Sequence, residues 1–401
     1  MLSYTRFARR YLCPLLAAST LLLSGCETTK VQPEINMVLL DNAPFRQYEV
    51  ETQSSIFALD ANIRATLDRY LDRNNGSNIK VAEQLLQFLV ENGDSSLAYM
   101  RGANLSASDA FYNLNANCLS LSILAYSLSD YLGFKGQFQR VHIPEYWAQT
   151  KGYSLLTGHV NLVVTQTNSG ARKNSENREV LYTRPARVVI DFDPNSRQQK
   201  FATSKISKER ITAMFYSNRG AMHMINKEMD QAYSYFRAAI DIDPLYSAAW
   251  GNLAVLYRIN DHNAQAESLY QQALRINDEN KTALGNLALL YELTDRPHKA
   301  QEIRTQLHAL RKDNPYYLIA LGDEAFAAEN YDQALKHYRA ANKLSASIHE
   351  GYFGLAKVYY IQGELELSRT FLNRALNHAS FNHDKKRYQN KLEWLSATAK
   401  N

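Results

Sequence analysis

From Ala213 onward, small, apolar and aromatic positions recur with a period of 34 residues. The segment Trp250-Gly251-Asn252-Leu253-Ala254 aligns with Leu284-Gly285-Asn286-Leu287-Ala288, and the same register starts units at 213, 247, 281, 315 and 349. Position 8 of the unit is Gly220, Ala254, Ala288, Gly322 and Ala356, and position 20 is Ala232, Ala266, Ala300, Ala334 and Ser368. Two helices need small residues where they cross closely. Bulky residues fall beside them: position 11 reads His223, Tyr257, Tyr291, Ala325 and Tyr359, and position 24 reads Phe236, Tyr270, Arg304, Tyr338 and Leu372. The pattern predicts five helix pairs over 213–380. One pair cannot bury its apolar face alone, so the units must stack and the last must be capped. Residues 381–401, with Tyr388, Leu392 and Leu395 among Lys, Asn and Glu, are predicted to form that capping helix.

Upstream, over 46–205, the pattern is mixed and predicts an α+β domain. Leu59, Ile63, Leu67, Tyr70 and Leu71 sit at helical spacing, as do Val81, Leu85, Phe88 and Leu89. A third helix carries the stripe Leu121, Leu124, Ala125, Leu128, Tyr131 and Leu132, with Asn117 as its N-cap and Gly133 as its terminator. The period then changes to two, predicting strands at 134–143, 158–166 and 187–192, with a polar insertion around 168–177 between the last two. Alternation puts His159 and Asn161 on one strand face, opposite Val160, Leu162 and Val164, and leaves Asp191 and Asp193 together on the next strand.

Cys118 falls in the first turn of the third helix. There the unpaired N–H groups and the positive end of the dipole stabilise a thiolate or an oxyanion. His142 and His159 are the two histidines before the repeats, so either is a candidate base, and Asp191 or Asp193 the acid that orients it. Zinc spacings and a Gly-rich phosphate loop are missing from the sequence, so neither a metal nor a cofactor is expected.

Two resemblances follow from these residues. The 34-residue unit resembles the tetratricopeptide (TPR) pattern, W-x₂-L-G-x₂-Y then A-x₃-F then P, with departures at Arg304, Leu307 and Ser368. It implies an all-α superhelix whose concave face, lined by the first helix of each unit, docks a protein or peptide. Asn218, Asn252 and Asn286, all at position 6, would then present amides to an extended backbone, or else serve helix packing. The segments Asn115-Ala116-Asn117-Cys118-Leu119-Ser120, Gly158-His159-Val160-Asn161 and Val189-Ile190-Asp191-Phe192 resemble the transglutaminase-like branch of the papain-type cysteine enzymes. That resemblance implies Cys118 as nucleophile, His159 as base and Asp191 as orienting acid. Similar bacterial chains join this domain to TPR units behind a lipoprotein signal.

The N-terminus supplies such a signal. Arg6, Arg9 and Arg10 precede an apolar stretch from Tyr11 to Leu23, and Leu23-Ser24-Gly25-Cys26 resembles a lipobox. Residues 1–25 are then a signal peptide, Cys26 the acylated anchor and 26–45 a polar tether, and Glu27, by not being Asp, points to the periplasmic face of a bacterial outer membrane. Composition changes the picture only by exclusion. Among 401 residues, 45 basic against 40 acidic side chains leave +5, which falls to +2 without those three arginines, so nucleic-acid binding is not indicated. A mean hydropathy of −0.41 argues against a polytopic membrane protein. Of three cysteines, Cys13 leaves with the signal and Cys26 is consumed by lipid, so Cys118 remains alone and no disulfide is expected. The resulting reading is a membrane-anchored acyltransferase or amide hydrolase with a TPR docking array; its alternative is a non-catalytic scaffold.

Overall fold

Thr52, Ser106, Asn117 and Ser207 each accept the N–H three residues ahead, and a helix begins immediately after each of them. In the computed structural model, which describes residues 33–73, 104–113, 116–150, 153–165, 187–193, 201–380 and 382–398, these are the starts of α1 (Gln53–Ile56), α3 (Ala107–Tyr112), α4 (Cys118–Tyr131) and α5 (Lys208–Ile225), with α2 (Ala61–Arg73) between the first two. The signal, Cys26, the expected helix around Val81–Leu89 and the insertion at 168–177 lie outside the described residues.

Gly133 ends α4 as anticipated: its φ is +75°, and Phe134 N–H returns to Ser129 C=O at 2.9 Å. The chain then forms a four-stranded antiparallel sheet, β1 (Lys135–Thr150), β2 (Tyr153–Thr165), β3 (Arg187–Ile190) and β4 (Thr203–Lys205), in the order β3-β2-β1-β4. The strands depart from the sequence expectation in several places. β2 begins at Tyr153 rather than at 158, and β3 ends at Ile190, so Asp191 and Asp193 follow that strand instead of lying on it. β1 does not stop at Ile143: a bulge between Val141 and Tyr146 takes Pro144 out of the ladder, and pairing resumes to Thr150. β4 is too short and polar to leave an alternating signal, yet it pairs with Gln139–Val141 at the other edge of β1.

Five helix pairs follow in the expected register: α5 with α6 (Met229–Ile242), α7 (Ser247–Ile259) with α8 (Asn263–Ile276), α9 (Lys281–Leu293) with α10 (Pro297–Arg311), α11 (Pro315–Ala327) with α12 (Tyr331–Leu344), and α13 (His349–Ile361) with α14 (Leu365–His378). The cap is α15 (Asn382–Thr398), which buries Tyr388 and Leu395. All the small residues at positions 8 and 20 are buried, and the Tyr338 ring occupies the space that a Cβ at Gly322 or Gly354 would need. The turns between paired helices repeat as well. Lys227, Asp261, Asp295, Glu329 and Gly363, 34 residues apart, all have positive φ, between 56° and 81°. In every unit the next N–H closes a six-residue loop, from Glu228 to His223 through Glu364 to Tyr359.

A single buried cluster runs from Leu40 through Leu124 and Leu162 to Ile211, Trp250 and Ala300, so the α+β part and the first repeats share one core. The expected tether is also joined to it from Glu34 on. Glu34 C=O and Asn36 N–H meet the Gln272 side chain at 3.0 and 3.4 Å, Tyr48 N–H donates to Ser234 Oγ at 2.9 Å, and Phe45 stacks on Tyr233 and meets Tyr257 edge-on.

Candidate active site

Asn117 accepts Ser120 N–H through Oδ1 at 2.9 Å and Leu121 N–H through its carbonyl at 3.0 Å, which fixes Cys118 as the first residue of α4. The N–H groups of Cys118 and Leu119 stand outside these two bonds. Leu121, Leu124, Ala125 and Leu128 bury the helix in the shared core, so Cys118 is held by packing on one side and a cap on the other. Its Sγ lies 3.9 Å from the carbonyl oxygen of Gly158, the residue immediately before His159.

The sheet register positions the rest. Leu162 pairs with Ile190 on β2 and β3, so continuing the antiparallel ladder by one residue sets Asp191 across from Asn161, with His159 two residues further on the same face. One Asp191 oxygen, Oδ1, is 2.8 Å from His159 Nε2; the other, Oδ2, accepts from Asn161 Nδ2 at 3.0 Å. With Nε2 so engaged, Nδ1 is the ring nitrogen left for the thiol. Asp193 contributes through its backbone, donating N–H to Asp191 Oδ1 at 3.0 Å. His142 is exposed, its Nε2 3.0 Å from Ser204 Oγ on β4.

Burial and partners set the charges. Burial by itself would drive His159 toward the neutral form, but hydrogen bonding and charge from Asp191 and Cys118 outweigh it and raise its pKa from 6.5 to about 10. Burial likewise works against the Asp191 carboxylate, yet His159, the Asn161 amide and the Asp193 N–H hold it down at about 2. An imidazolium and a carboxylate therefore face each other at neutral pH. A thiol at a helix start, a protonated imidazole and an oriented carboxylate are the parts that nucleophilic acyl chemistry uses.

Strand alternation places Asn161 beside His159 but gives it no role. The signal that singles it out is tertiary: it is buried and donates to Asp191, while its own Oδ1 has no hydrogen-bond partner among the described residues. The position-6 asparagines do not share one environment. Asn252 donates to Ser217 Oγ on the neighbouring unit at 2.9 Å, Asn286 bonds back to Thr282 C=O at 3.0 Å, and Asn218 is exposed. Asn252 thus ties adjacent first helices together.

The α+β part also touches the array beside the site. Glu145, in the β1 bulge opposite Gly158, accepts from Arg311 Nε at 3.2 Å and lies 3.8 Å from Lys281 Nζ, while its carbonyl accepts from Asn314 Nδ2 at 2.8 Å.

Models of the tetratricopeptide repeat match residues 215–244, 235–268 and 319–384, so the C-terminal part carries TPR repeats. No curated protein matches the chain. Among solved structures it is similar to a chain of the APC/C hetero-tetramer Cut9-Hcn1, at 19% identity and TM-score 0.31, over 47% of this chain and 37% of that one. It is similar to Pseudomonas aeruginosa pilF at 17% identity and TM-score 0.31, over 48% of this chain and 90% of that one. For YrrB, described as a TPR protein with an unusual peptide-binding site, the values are 16% and 0.26, over 44% and 92%.

Proposed function

We propose that this TPR-bearing chain is a thiol enzyme of the transglutaminase-like type, in which Cys118, His159 and Asp191 transfer or hydrolyse an acyl group and the array docks a protein or peptide. The observation that carries the reading is the His159–Asp191 pair at 2.8 Å beside a cysteine at a helix N-terminus. In the proposed reaction the Cys118 proton passes to His159, whose imidazolium Asp191 holds; the thiolate attacks an amide carbonyl, and the first-turn N–H groups of α4 receive the oxyanion. His159 gives its proton to the leaving nitrogen as the C–N bond breaks, and a thioester remains on Cys118. Water then attacks the thioester, returns a proton to His159 and releases the acid; an amine in place of water gives a new amide. Hydrolysis is the favoured outcome in a dilute compartment, where water outnumbers any amine.

The N-terminal reading extends the proposal: acylation at Cys26 anchors the chain on the periplasmic face of a bacterial outer membrane. Incorporation of labelled palmitate into the wild type and not into Cys26→Ser supports this, and equal incorporation removes it. For the chemistry, the purified protein is incubated with glutaminyl and peptide amides and with iodoacetamide from pH 6 to about 8.5. Amine release and alkylation that both vanish in Cys118→Ala are expected; an unreactive thiol overturns the enzymatic reading.

A second reading has one observation in its favour. Cys118 and His159 are 6% and 3% exposed, so a substrate must open the site to reach them, whereas a scaffold needs no access. A non-catalytic scaffold predicts that Cys118→Ala keeps every phenotype while loss of the TPR units abolishes it.

A further inference from the structure

The capping helix does more than close the array. α15 buries Tyr388 and Leu395 against the last repeat, which is what a cap requires, yet Trp394 on the same helix is 52% exposed. Its ring meets Tyr360 edge-on at 5.4 Å, and Tyr360 is itself 39% exposed. The pair joins cap to repeat, yet it leaves two large aromatic rings partly open to solvent, where a partner can reach them. Between α13, α14 and α15 lies a hollow of about 180 Å³, with Phe353, Ala356 and Leu372 among its apolar lining and Trp394, Tyr360, Lys357 and Lys391 also bordering it. A cavity of roughly 150 Å³ suffices for benzene, so one aromatic ring fits.

Charge selects the rest of the ligand. Three cations converge on the Phe353 ring: Arg387 at 5.1 Å from its centroid, and Lys357 and Lys391 each at 5.7 Å. Lys357 is paired with Asp323 at 2.8 Å and Arg387 with Asp384 at 3.0 Å, but Lys391 has no ion pair among the described residues. Cations gathered on one ring repel each other, and a single carboxylate beside Lys391 relieves that repulsion. The whole helix adds to this field, with Lys385, Lys386, Arg387 and Lys391 against Asp384 and Glu393.

We infer that the hollow between the last repeat and the capping helix is a docking site for an acidic peptide segment carrying an aromatic side chain. The ring enters the hollow against Trp394 and Tyr360, and a flanking carboxylate pairs with Lys391. A peptide is favoured over an anionic lipid surface because the cations surround a concave, ring-sized space. The inference rests on the proposed docking role of the array and names the partner's chemistry.

The test uses the full chain with dye-labelled peptides in which one Phe is flanked by Glu, and with matched peptides that replace Phe by Ala or Glu by Lys. Fluorescence anisotropy is expected to show binding of the Glu–Phe peptide only, weakened at least about tenfold by Lys391→Glu or by Trp394→Ala, and weakened as salt rises. Lys391→Gln, with melting temperature compared to the wild type, separates lost charge from lost folding and is expected to give a smaller loss than Lys391→Glu. Wild-type affinity in both Lys391→Glu and Trp394→Ala, or no peptide binding to the wild type, overturns the inference. So does a Trp394 emission shift produced by phosphatidylglycerol vesicles and by none of the peptides. Binding that falls in Asn252→Ala or Asn286→Ala but not in Lys391→Glu keeps the docking role of the array and removes this site.

Discussion

Asp191 divides its carboxylate between two residues of one strand, holding His159 Nε2 at 2.8 Å through Oδ1 and leaving Oδ2 to Asn161. Because both bonds come from β2, the carboxylate cannot swing away from the imidazole without losing the amide as well.

That pairing sets a pH dependence of stability. The folded pKa of His159 is raised from 6.5 to about 10, so its contribution is full below pH 6.5 and is lost as pH rises through about 10. The folded pKa of Asp191 is lowered from 3.8 to about 2, so its contribution is full above pH 3.8 and is lost as pH falls through about 2. Asp191→Asn is therefore expected to cost more near pH 5 than near pH 10, where the imidazole is losing its charge and only the Asn161 and Asp193 N–H bonds to the carboxylate remain fully in play. Urea unfolding of both proteins at the two pH values checks this, and an equal cost at both removes the ion pair as its source.

Asp191→Asn is also expected to lower the His159 titration, followed by NMR of labelled imidazole, from about 10, since burial is then opposed by Cys118 without the carboxylate. An unchanged titration means that another group holds the proton.

Glu145 links the bulge of β1 to the array through Arg311 and Lys281, with the Arg311 and Glu145 side chains 12% and 20% exposed. Glu145→Ala removes these contacts and is expected to cost roughly 1–3 kcal/mol. Because the bulge faces Gly158, the same variant should slow Cys118 alkylation or change its pH profile. A stability loss with an unaltered profile would separate the clamp from the site.

Gly322→Ala sets a Cβ 2.6 Å from the Tyr338 ring, whose hydroxyl bonds Asp323 Oδ1 at 2.7 Å and so cannot easily withdraw. The expected cost is about 1–3 kcal/mol in thermal or urea unfolding. Gly251→Ala, with its nearest neighbour at 3.8 Å, serves as the control and should not destabilise by overpacking.

Much of the candidate site was legible. Asn117 as cap, Cys118 as the first helical residue, and the shared face of His159 and Asn161 all follow from residues within a few positions of one another. The partner of His159 was narrowed to two aspartates, since alternation gives Asp191 and Asp193 the same face. Only the strand register, with Leu162 opposite Ile190, directs the Asp191 carboxylate to the imidazole and leaves Asp193 to act through its N–H.

By itself the sequence determined the repeat. A 34-residue period of small and bulky residues records which sides of two helices meet, and that record is local. It also carried the left-handed turns in its spacing, though their residues, Lys, Asp, Asp, Glu and Gly, share no chemistry that would announce them. Tertiary structure decided what the local pattern does not record: the stretch from Glu34 to Tyr48 along the first repeats, the Glu145 clamp and the continuation of β1 past Pro144. It also decided that the Asn252 amide is spent on Ser217, and that Trp394 is left at the surface of its own cap. Periodicity reports which face of an element is apolar; it has no term for a single polar pair between elements, and such pairs, His159 with Asp191 and Asn161 with Asp191, position the site.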